Sequence, residues 1–356
     1  MQKLLVTECE RQERGMQMRD DLGITTKLEN GKAYLEFVLP EKIGRLQSAL
    51  QIEIWEGAEG ERLVFHGEYS SEEADSMTAL LLRPHLWDGL RDPYVYLVKA
   101  QGRFRSVEYG EKMGGMEKEE KSDPAEDITG EVEMYWRQKL TIYDVRVVEK
   151  KGILLNEKEF LPHEVCYRML LQTGDAGIWE EQMKEDLERL ARMGVNAIRL
   201  EETGSGTEGQ DRSEVRTFYS LCRKRGFLTG DLWIRPENLP VYRGLPGERT
   251  CQALLAADGR TLTERYYYYQ AKWSSEPVLY PVLSTLHRQE NGLLSLTIYS
   301  NQKKVVLYVD GLLFLFQTAT SGDPEFIFED IPVAKLPLYL AAEAGNLSIS
   351  LTVTKL

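Results

Sequence analysis

A short stretch of alternating strands and helices, with β-rich sequence on both sides, constrains the fold of this chain more than any other feature. The alternation runs strand, helix, strand, helix, strand over residues 152–156, 180–193, 195–200, 211–225 and 227–234. Alternation of this kind predicts strands that lie parallel in one sheet. A closed barrel of eight such units needs roughly 200 to 250 residues. The segment 147–272 is therefore too short for a complete barrel, and the sequence predicts a truncated (β/α) barrel remnant.

Helical spacing supports this assignment. Met183, Leu187, Leu190 and Ala191 recur on one face of the first helix, and Gly194 follows it as a stop. After the third strand, Pro and Gly residues predict a long irregular connection over residues 235–262, followed by a helix near 263–270.

The flanks show strand periodicity instead. Before the α/β segment, short alternating runs predict an antiparallel sandwich; they lie at residues 33–39, 50–55, 62–65, 79–82, 94–100 and 143–148. Residues 108–131 are rich in Gly, Lys and Glu and predict a flexible acidic loop. After the segment, six further runs predict a second sandwich; they lie at residues 293–299, 304–309, 312–317, 324–328, 336–342 and 347–354. The predicted domains are 1–146, 147–272 and 273–356, which makes a mixed, mostly β fold.

Composition excludes several classes of function. The net charge of −13 disfavours binding to nucleic acid, which needs clustered Lys and Arg. No apolar run approaches the ~20 residues that span a bilayer, and the N-terminal apolar run is too short for a signal peptide, so we expect a cytoplasmic protein that does not bind membranes. The four cysteines and four histidines are widely separated, so we expect no metal site and no cofactor.

Several segments, in order, resemble glycoside hydrolase family 2, the β-galactosidase and β-glucuronidase family. The most specific is residues 186–199 (DLERLARMGVNAIR), which is similar to the passage from the family's first barrel helix to its second strand. Further similarity covers residues 86–96, 151–158, 218–227, 266–274, 298–301 and 307–311. The resemblance implies two immunoglobulin-like β-sandwiches that flank the barrel remnant.

The departures from the family affect its chemistry. The family's N-terminal jelly roll is expected to be absent, and Leu200-Glu201-Glu202-Thr203 stands where the family has His-Tyr-Pro. The family places its acid/base Glu on barrel strand 4 and its nucleophile on strand 7. Only about 30 residues separate Ile234 from the last helix, so both strands look deleted. No residue of this chain inherits either catalytic role.

The remaining polar candidates lie where barrel strands end. We expect Arg199, Glu201, Glu202, Asp231 and Trp233 to face any ligand, although Arg199 is also expected to pair with a carboxylate inside the fold. Adjacent strand residues point to opposite faces, so Glu201 and Glu202 do not form a pair, whereas either one could converge with Asp231. Tyr266–Tyr269 and Trp273 are expected to pack the last helix, with sugar stacking as the alternative.

Three functions remain open. In the first, the chain has lost catalysis and acts as a carbohydrate-related binding or partner subunit. In the second, it is an active retaining glycosidase with a rebuilt or shared site, which needs two convergent carboxylates. In the third, it is a structural assembly module. An open parallel sheet exposes an edge and a face that proteins normally cover. We therefore expect a carbohydrate as the ligand and a homodimer or a partner subunit that covers the open barrel.

Overall fold

A computed structural model of the chain describes residues 22–40, 45–105, 131–149, 151–168, 176–201, 212–230, 240–243 and 253–355. The chain is mostly β, as predicted, and forms two compact units, residues 1–160 and 161–356. The second unit contains both the parallel sheet and the C-terminal sandwich.

The first unit begins with seven antiparallel strands in two sheets. They are β1 (Gly23–Glu29), β2 (Lys32–Val38), β3 (Leu50–Glu56), β4 (Arg62–Tyr69), β5 (Met77–Leu82), β6 (Tyr96–Arg105) and β7 (Glu131–Leu140). The sheet orders are β1-β2-β5 and β4-β3-β6-β7. Alternate residues such as Leu35 and Ile52 are fully buried between the two sheets and form one apolar core. The predicted loop at 108–131 lies outside the described residues apart from Glu131, which begins β7.

The first predicted strand of the α/β segment is placed differently by the structure. Residues Gly152–Leu155 form β9 of a small antiparallel sheet, between β8 (Val145–Val148) and β10 (Lys158–Phe160). Asn156 and Glu157 have φ values of 49° and 69°, which make the tight turn of a two-residue hairpin. The chain therefore reverses at once instead of continuing into a helix, and the prediction of a parallel strand here was wrong.

Five parallel strands open the second unit. They are β11 (Glu164–Arg168), β12 (Ala197–Glu201), β13 (Leu228–Thr229), β14 (Val241–Arg243) and β15 (Ala253–Leu255). The helices are α1 (Ala176–Met193), α2 (Arg212–Arg225) and α3 (Glu264–Trp273). Strands β14 and β15 fall in the predicted irregular connection 235–262, because runs of three residues are too short to show a period of two.

The strand order of this sheet is β13-β12-β11-β14-β15. In a closed barrel the last strand pairs with the first, so a barrel that lost middle strands would keep β15 beside β11, whereas here β14 lies beside β11 and β15 lies outside it. The predicted parallel sheet is thus present, but its order is that of an open sheet with a switch point between β11 and β14. The interpretation as a barrel remnant stays a prediction.

The C-terminal strands repeat the design of the first sandwich. They are β16 (Leu279–Arg288), β17 (Leu294–Ser300), β18 (Lys304–Val309), β19 (Leu312–Thr318), β20 (Glu325–Ile331), β21 (Leu338–Ala344) and β22 (Leu347–Val353). The sheet orders are β16-β17-β20 and β19-β18-β21-β22. In both sandwiches the first, second and fifth strands form one sheet and the other four form the second. The six predicted strands are all present, and β16 is an additional one.

Candidate functional site

The polar residues of the parallel sheet collect on one face of β11 and β12. Side chains alternate along a strand, and the register pairs Cys166 with Arg199 and Arg168 with Glu201. Glu164, Cys166, Arg168, Arg199 and Glu201 therefore share a face, which we call the charged face. Helices α1 and α2 pack against the opposite face, since Tyr167 reaches residues of both.

Two ion pairs neutralise the charged face. Nε of Arg168 lies 2.6 Å from Oε2 of Glu201, and Nε of Arg199 lies 3.2 Å from Oε1 of Glu164. The arginine side chains are 13% and 14% exposed, Glu201 is 38% exposed and Glu164 is fully buried. The formal charges of these four side chains sum to zero. A face of this kind stabilises the sheet and presents little uncompensated charge to a ligand.

The thiol between these pairs is not a nucleophile. Burial raises the pKa of Cys166 to about 12, and the nearby Glu201 carboxylate adds to the effect. The thiol donates a 3.4 Å hydrogen bond to Oε2 of that carboxylate. Since the reactive species is the thiolate, Cys166 remains a protonated hydrogen-bond donor near neutral pH.

The two carboxylates of the charged face are poorly placed for glycoside hydrolysis. A retaining mechanism needs carboxyl groups about 5–5.5 Å apart, one of them kept protonated as the general acid. Glu164 lies beside Ala197, four residues before Glu201 along β12. At about 3.3 Å per residue, their Cα atoms are separated by roughly 13 Å along the strand direction. Each carboxylate also forms an ion pair with a guanidinium on the same face.

A second polar cluster, centred on Asp186 of α1, joins the helix to the opposite face of the sheet. Asp186 is fully buried and accepts hydrogen bonds from the hydroxyls of Tyr167 and Tyr242, both at 2.9 Å. It also accepts from Nη2 of Arg243 at 2.9 Å and from Nη1 of Arg189 at 3.2 Å. Asp186 therefore ties β11 and β14, the two strands at the switch point, to the same helix. Burial raises the pKa of both tyrosines, so both remain donors.

The predicted ligand-facing residues have different outcomes. Arg199 and Glu201 both lie on the charged face, and Arg199 pairs with a buried carboxylate as expected. Glu202, Asp231 and Trp233 lie outside the described residues, and so does any convergence of Glu201 or Glu202 with Asp231. Contact of these five residues with a ligand stays a prediction.

Sequence reasoning missed Glu164 and Arg168 as members of this site. Both lie on β11, a five-residue strand that was not recognised because the first parallel strand was assigned to residues 152–156. The alternating pattern Glu164-x-Cys166-x-Arg168, opposite Arg199-x-Glu201, is the signal that would have found them. Asp186 was noted only as the first residue of a motif, since its partners Tyr242 and Arg243 lie in an unrecognised strand.

The aromatic residues of α3 pack within the second unit. Tyr267 stacks on Tyr280 with ring centroids 3.7 Å apart, and Tyr268 meets Tyr299 edge to face at 5.4 Å. Trp273 stacks on His163 at 5.2 Å. These contacts fasten α3 to β16, β17 and the segment before β11, which is the packing role expected from the sequence.

Neither a metal site nor a ligand-sized cavity is supported by the described part of the chain. No group of three or more His, Cys, Asp or Glu side chains there is arranged to hold a metal ion. A void of about 10 Å³ inside the C-terminal sandwich is lined by apolar residues such as Leu296 and Leu307, and it has room for no more than one water molecule. In the described ranges, no helix is both long and apolar enough to cross a membrane.

By sequence, the chain matches no family model and no curated protein. Its fold is similar to several solved structures. An FMN-binding β-glucuronidase from Facaelibacterium prausnitzii L2-6 aligns with a TM-score of 0.65 at 13% identity, over 95% of this chain and 74% of that one. A β-glucuronidase from Parabacteroides merdae aligns with a TM-score of 0.59 at 10% identity, over 94% of this chain and 63% of that one. A putative β-galactosidase from Bacteroides fragilis aligns with a TM-score of 0.56 at 14% identity, over 94% of this chain and 73% of that one.

This chain thus spans between three fifths and three quarters of each of these proteins. At such low identities the likeness concerns the fold, and it agrees with the resemblance seen in residues 186–199 and the other matching segments. The chain therefore has the fold of the β-glucuronidases and β-galactosidases, as its sequence predicted.

Proposed function

We propose that the chain is a catalytically inactive relative of the β-glucuronidases and β-galactosidases that acts as a carbohydrate-related binding or partner subunit. The observation that carries this proposal is the charged face of β11 and β12. In a sugar-cleaving barrel, the carboxyl ends of the strands hold the reacting groups. Here Glu201, the described carboxylate at the carboxyl end of β12, is held by Arg168, and Glu164 lies at the amino end of β11.

The geometry of the face supports loss of catalysis more than a rebuilt site. Glu164 is fully buried beside Arg199 and is not accessible to a substrate. Glu201 is the more exposed carboxylate, and Arg168 holds it at 2.6 Å. A retaining site needs one carboxylate free to attack and a second that carries a proton. Both Glu164 and Glu201 are instead engaged in ion pairs.

Binding is the activity that such a face retains. Parallel sheets are normally covered on both faces, and α1 and α2 pack against only one face of this sheet. Glu201 at the carboxyl end of β12 is 38% exposed and offers hydrogen-bond acceptors of the kind that sugars require, while Arg168 holds it in place. We propose that a carbohydrate, or a second subunit, meets the sheet on this side.

A panel of nitrophenyl glycosides, including the β-glucuronide and the β-galactoside, tests the proposal. We expect release of nitrophenol no faster than in buffer, because the residues that the structure describes hold no acid and nucleophile pair on the charged face. The double variant Glu201→Gln with Asp231→Asn removes the carboxylates that a rebuilt site would use. The variant Glu185→Gln, which changes an exposed helix carboxylate, is the matched control.

Turnover that is abolished in the double variant and kept in Glu185→Gln would overturn the loss of catalysis. Turnover that survives the double variant would show that Glu201 and Asp231 do not carry it. Calorimetric titration with glucuronate and galactose then tests the binding role. If Arg168→Met abolishes the heat of binding, the charged face is the binding site. If no sugar gives a heat of binding, the carbohydrate-binding role is refuted and only the partner-subunit role remains.

A further inference from the structure

The fourth strand of each sandwich lies at the edge of a four-stranded sheet. β4 and β19 occupy the same position in the orders β4-β3-β6-β7 and β19-β18-β21-β22. An edge strand presents a row of N–H and C=O groups that has no partner within its own sheet, so proteins usually protect such strands with charged residues. The repeated topology allows the two edges to be compared directly.

β4 carries this protection. Its sequence is RLVFHGEY, with Arg62 at one end, His66 in the middle and Glu68 near the other end. Arg62 forms an ion pair with Glu56 at 2.7 Å, and His66 lies 3.7 Å from the carboxylate of Glu68. A strand from another molecule that paired here would have to displace or bury these groups.

β19 carries no charged side chain of its own, although Nζ of Lys304 on β18 lies 4.1 Å from the centre of the Phe316 ring. Its sequence is LLFLFQT, and residues 311–322 contain no charged side chain. The exposed fractions of Leu312, Leu313, Leu315 and Phe316 are 75%, 62%, 43% and 53%. An uncharged edge strand with this much exposed apolar surface favours association with another strand.

We infer that β19 is an interface at which two copies of this chain pair edge to edge. In an antiparallel pairing about a two-fold axis at Leu315, this residue faces its own symmetry mate and Leu312 faces Thr318 of the second copy. The pairing joins two four-stranded sheets into one of eight strands. Because it uses each β19 edge once, the assembly closes at two copies and does not grow into a fibre.

The charges at the two ends of β19 favour a second copy as the occupant. The chain carries a net charge of −13, so two copies repel each other unless the surfaces in contact are neutral or complementary. β19 itself is uncharged. Lys304 lies opposite Thr318 in the register of β18 and β19, while Asp310 precedes the other end of β19. The two-fold pairing brings the Asp310 end of one copy towards the Lys304 end of the other, so the two ends of the interface are complementary in sign.

Sedimentation velocity on the full chain tests this inference, with Leu315→Lys and Leu63→Lys as a matched pair of variants. Leu63 lies on β4 and has the same exposed fraction as Leu315, 43%. We expect the wild type and Leu63→Lys to sediment as dimers at high concentration. Leu315→Lys places two like charges opposite each other across the axis, so we expect its dissociation constant to rise about a hundredfold or more. Circular dichroism verifies that both variants are folded.

Cysteine cross-linking provides a measurement that does not depend on disrupting the dimer. Under mild oxidation, Leu315→Cys should form a disulfide-linked dimer beyond the level of the wild type. Thr318→Cys should not, because the pairing separates the two copies of residue 318 by about six residues, or roughly 20 Å. A monomer at every concentration, a dimer unaffected by Leu315→Lys, or equal cross-linking of the two cysteine variants would overturn the inference.

Discussion

Asp186 shows how one buried carboxylate can organise several elements. It accepts hydrogen bonds from side chains on β11, β14 and α1 while it is fully shielded from solvent. Burying a charge is unfavourable unless it is paired and fully hydrogen-bonded. Tyr167, Tyr242 and Arg243 supply that compensation, and they are drawn to the same helix as a result.

At the residue scale, we expect Asp186→Asn to lower the free energy of unfolding by about 3–5 kcal/mol, because it leaves the Arg243 guanidinium buried without a counter-charge. The matched control is Glu185→Gln on the same helix. Glu185 is 56% exposed and also pairs with Arg189, so its loss should cost no more than about 1 kcal/mol. Urea unfolding measures both. Equal losses in the two variants would contradict the role assigned to Asp186.

Residue roles could be predicted from the sequence only where the supporting strand was recognised. Arg199 and Glu201 lie on β12, which follows a clearly periodic helix, so both were found. Glu164 and Arg168 were missed because β11 has only five residues, so its period of two rests on Val165 and Tyr167 alone. The sequence did not show whether Asp186 lies on the helix surface or is buried, because its partners Tyr242 and Arg243 are distant along the chain.

At the scale of elements, the junction after α1 depends on a close backbone approach. Gly194 has φ +90° and ends the helix, with its N–H bonded to the carbonyl of Ala191. A Cβ at this position would lie 2.8 Å from the amide nitrogen of Ser274 and closer still to the carbonyl oxygen of Trp273. The sequence identified the stop at Gly194, but the packing of α3 against it was visible only in the structure.

We expect Gly194→Ala to lower the free energy of unfolding more than Gly292→Ala does. Gly292 has φ +86° and open space around it, so alanine there incurs only the cost of the left-handed conformation, about 1–2 kcal/mol. Alanine at position 194 incurs the same cost and a steric clash of about 1–3 kcal/mol in addition. Urea or thermal unfolding compares the two variants. Equal losses in the free energy of unfolding would mean that Gly194 does not approach the end of α3 closely.

The elements of the C-terminal sandwich were predicted almost completely, and those of the parallel sheet only in part. The reason is length. Strands of six or seven residues show a period of two, whereas β13, β14 and β15 have two or three residues each. The position of β14 beside β11 depends on long-range packing around Asp186 and not on local pattern.

At the scale of the whole molecule, the two compact units divide the chain differently from the three predicted domains. The sequence analysis set a boundary between residues 272 and 273. Contacts cross that position in the structure: Tyr267 stacks on Tyr280, and the carboxylate of Glu264 accepts a 2.9 Å hydrogen bond from the amide of Ser284. These contacts join α3 to the sandwich.

We therefore expect residues 161–356 to fold alone with a single cooperative unfolding transition, because that range is a compact unit. A fragment of residues 273–356 lacks the contacts of α3 and should unfold at a lower urea concentration. Near-ultraviolet circular dichroism and urea titration of both fragments measure the difference. A shorter fragment as stable as the longer one would favour the boundary at 272.

The short outer strands of the parallel sheet have a consequence for how the fold persists. In the part of the chain that the structure describes, that sheet is bordered by β13 and β15, which offer only two and three residues as a template for foreign backbone. A sheet with such short outer strands gives another molecule little backbone to pair with, so it resists uncontrolled edge-to-edge association.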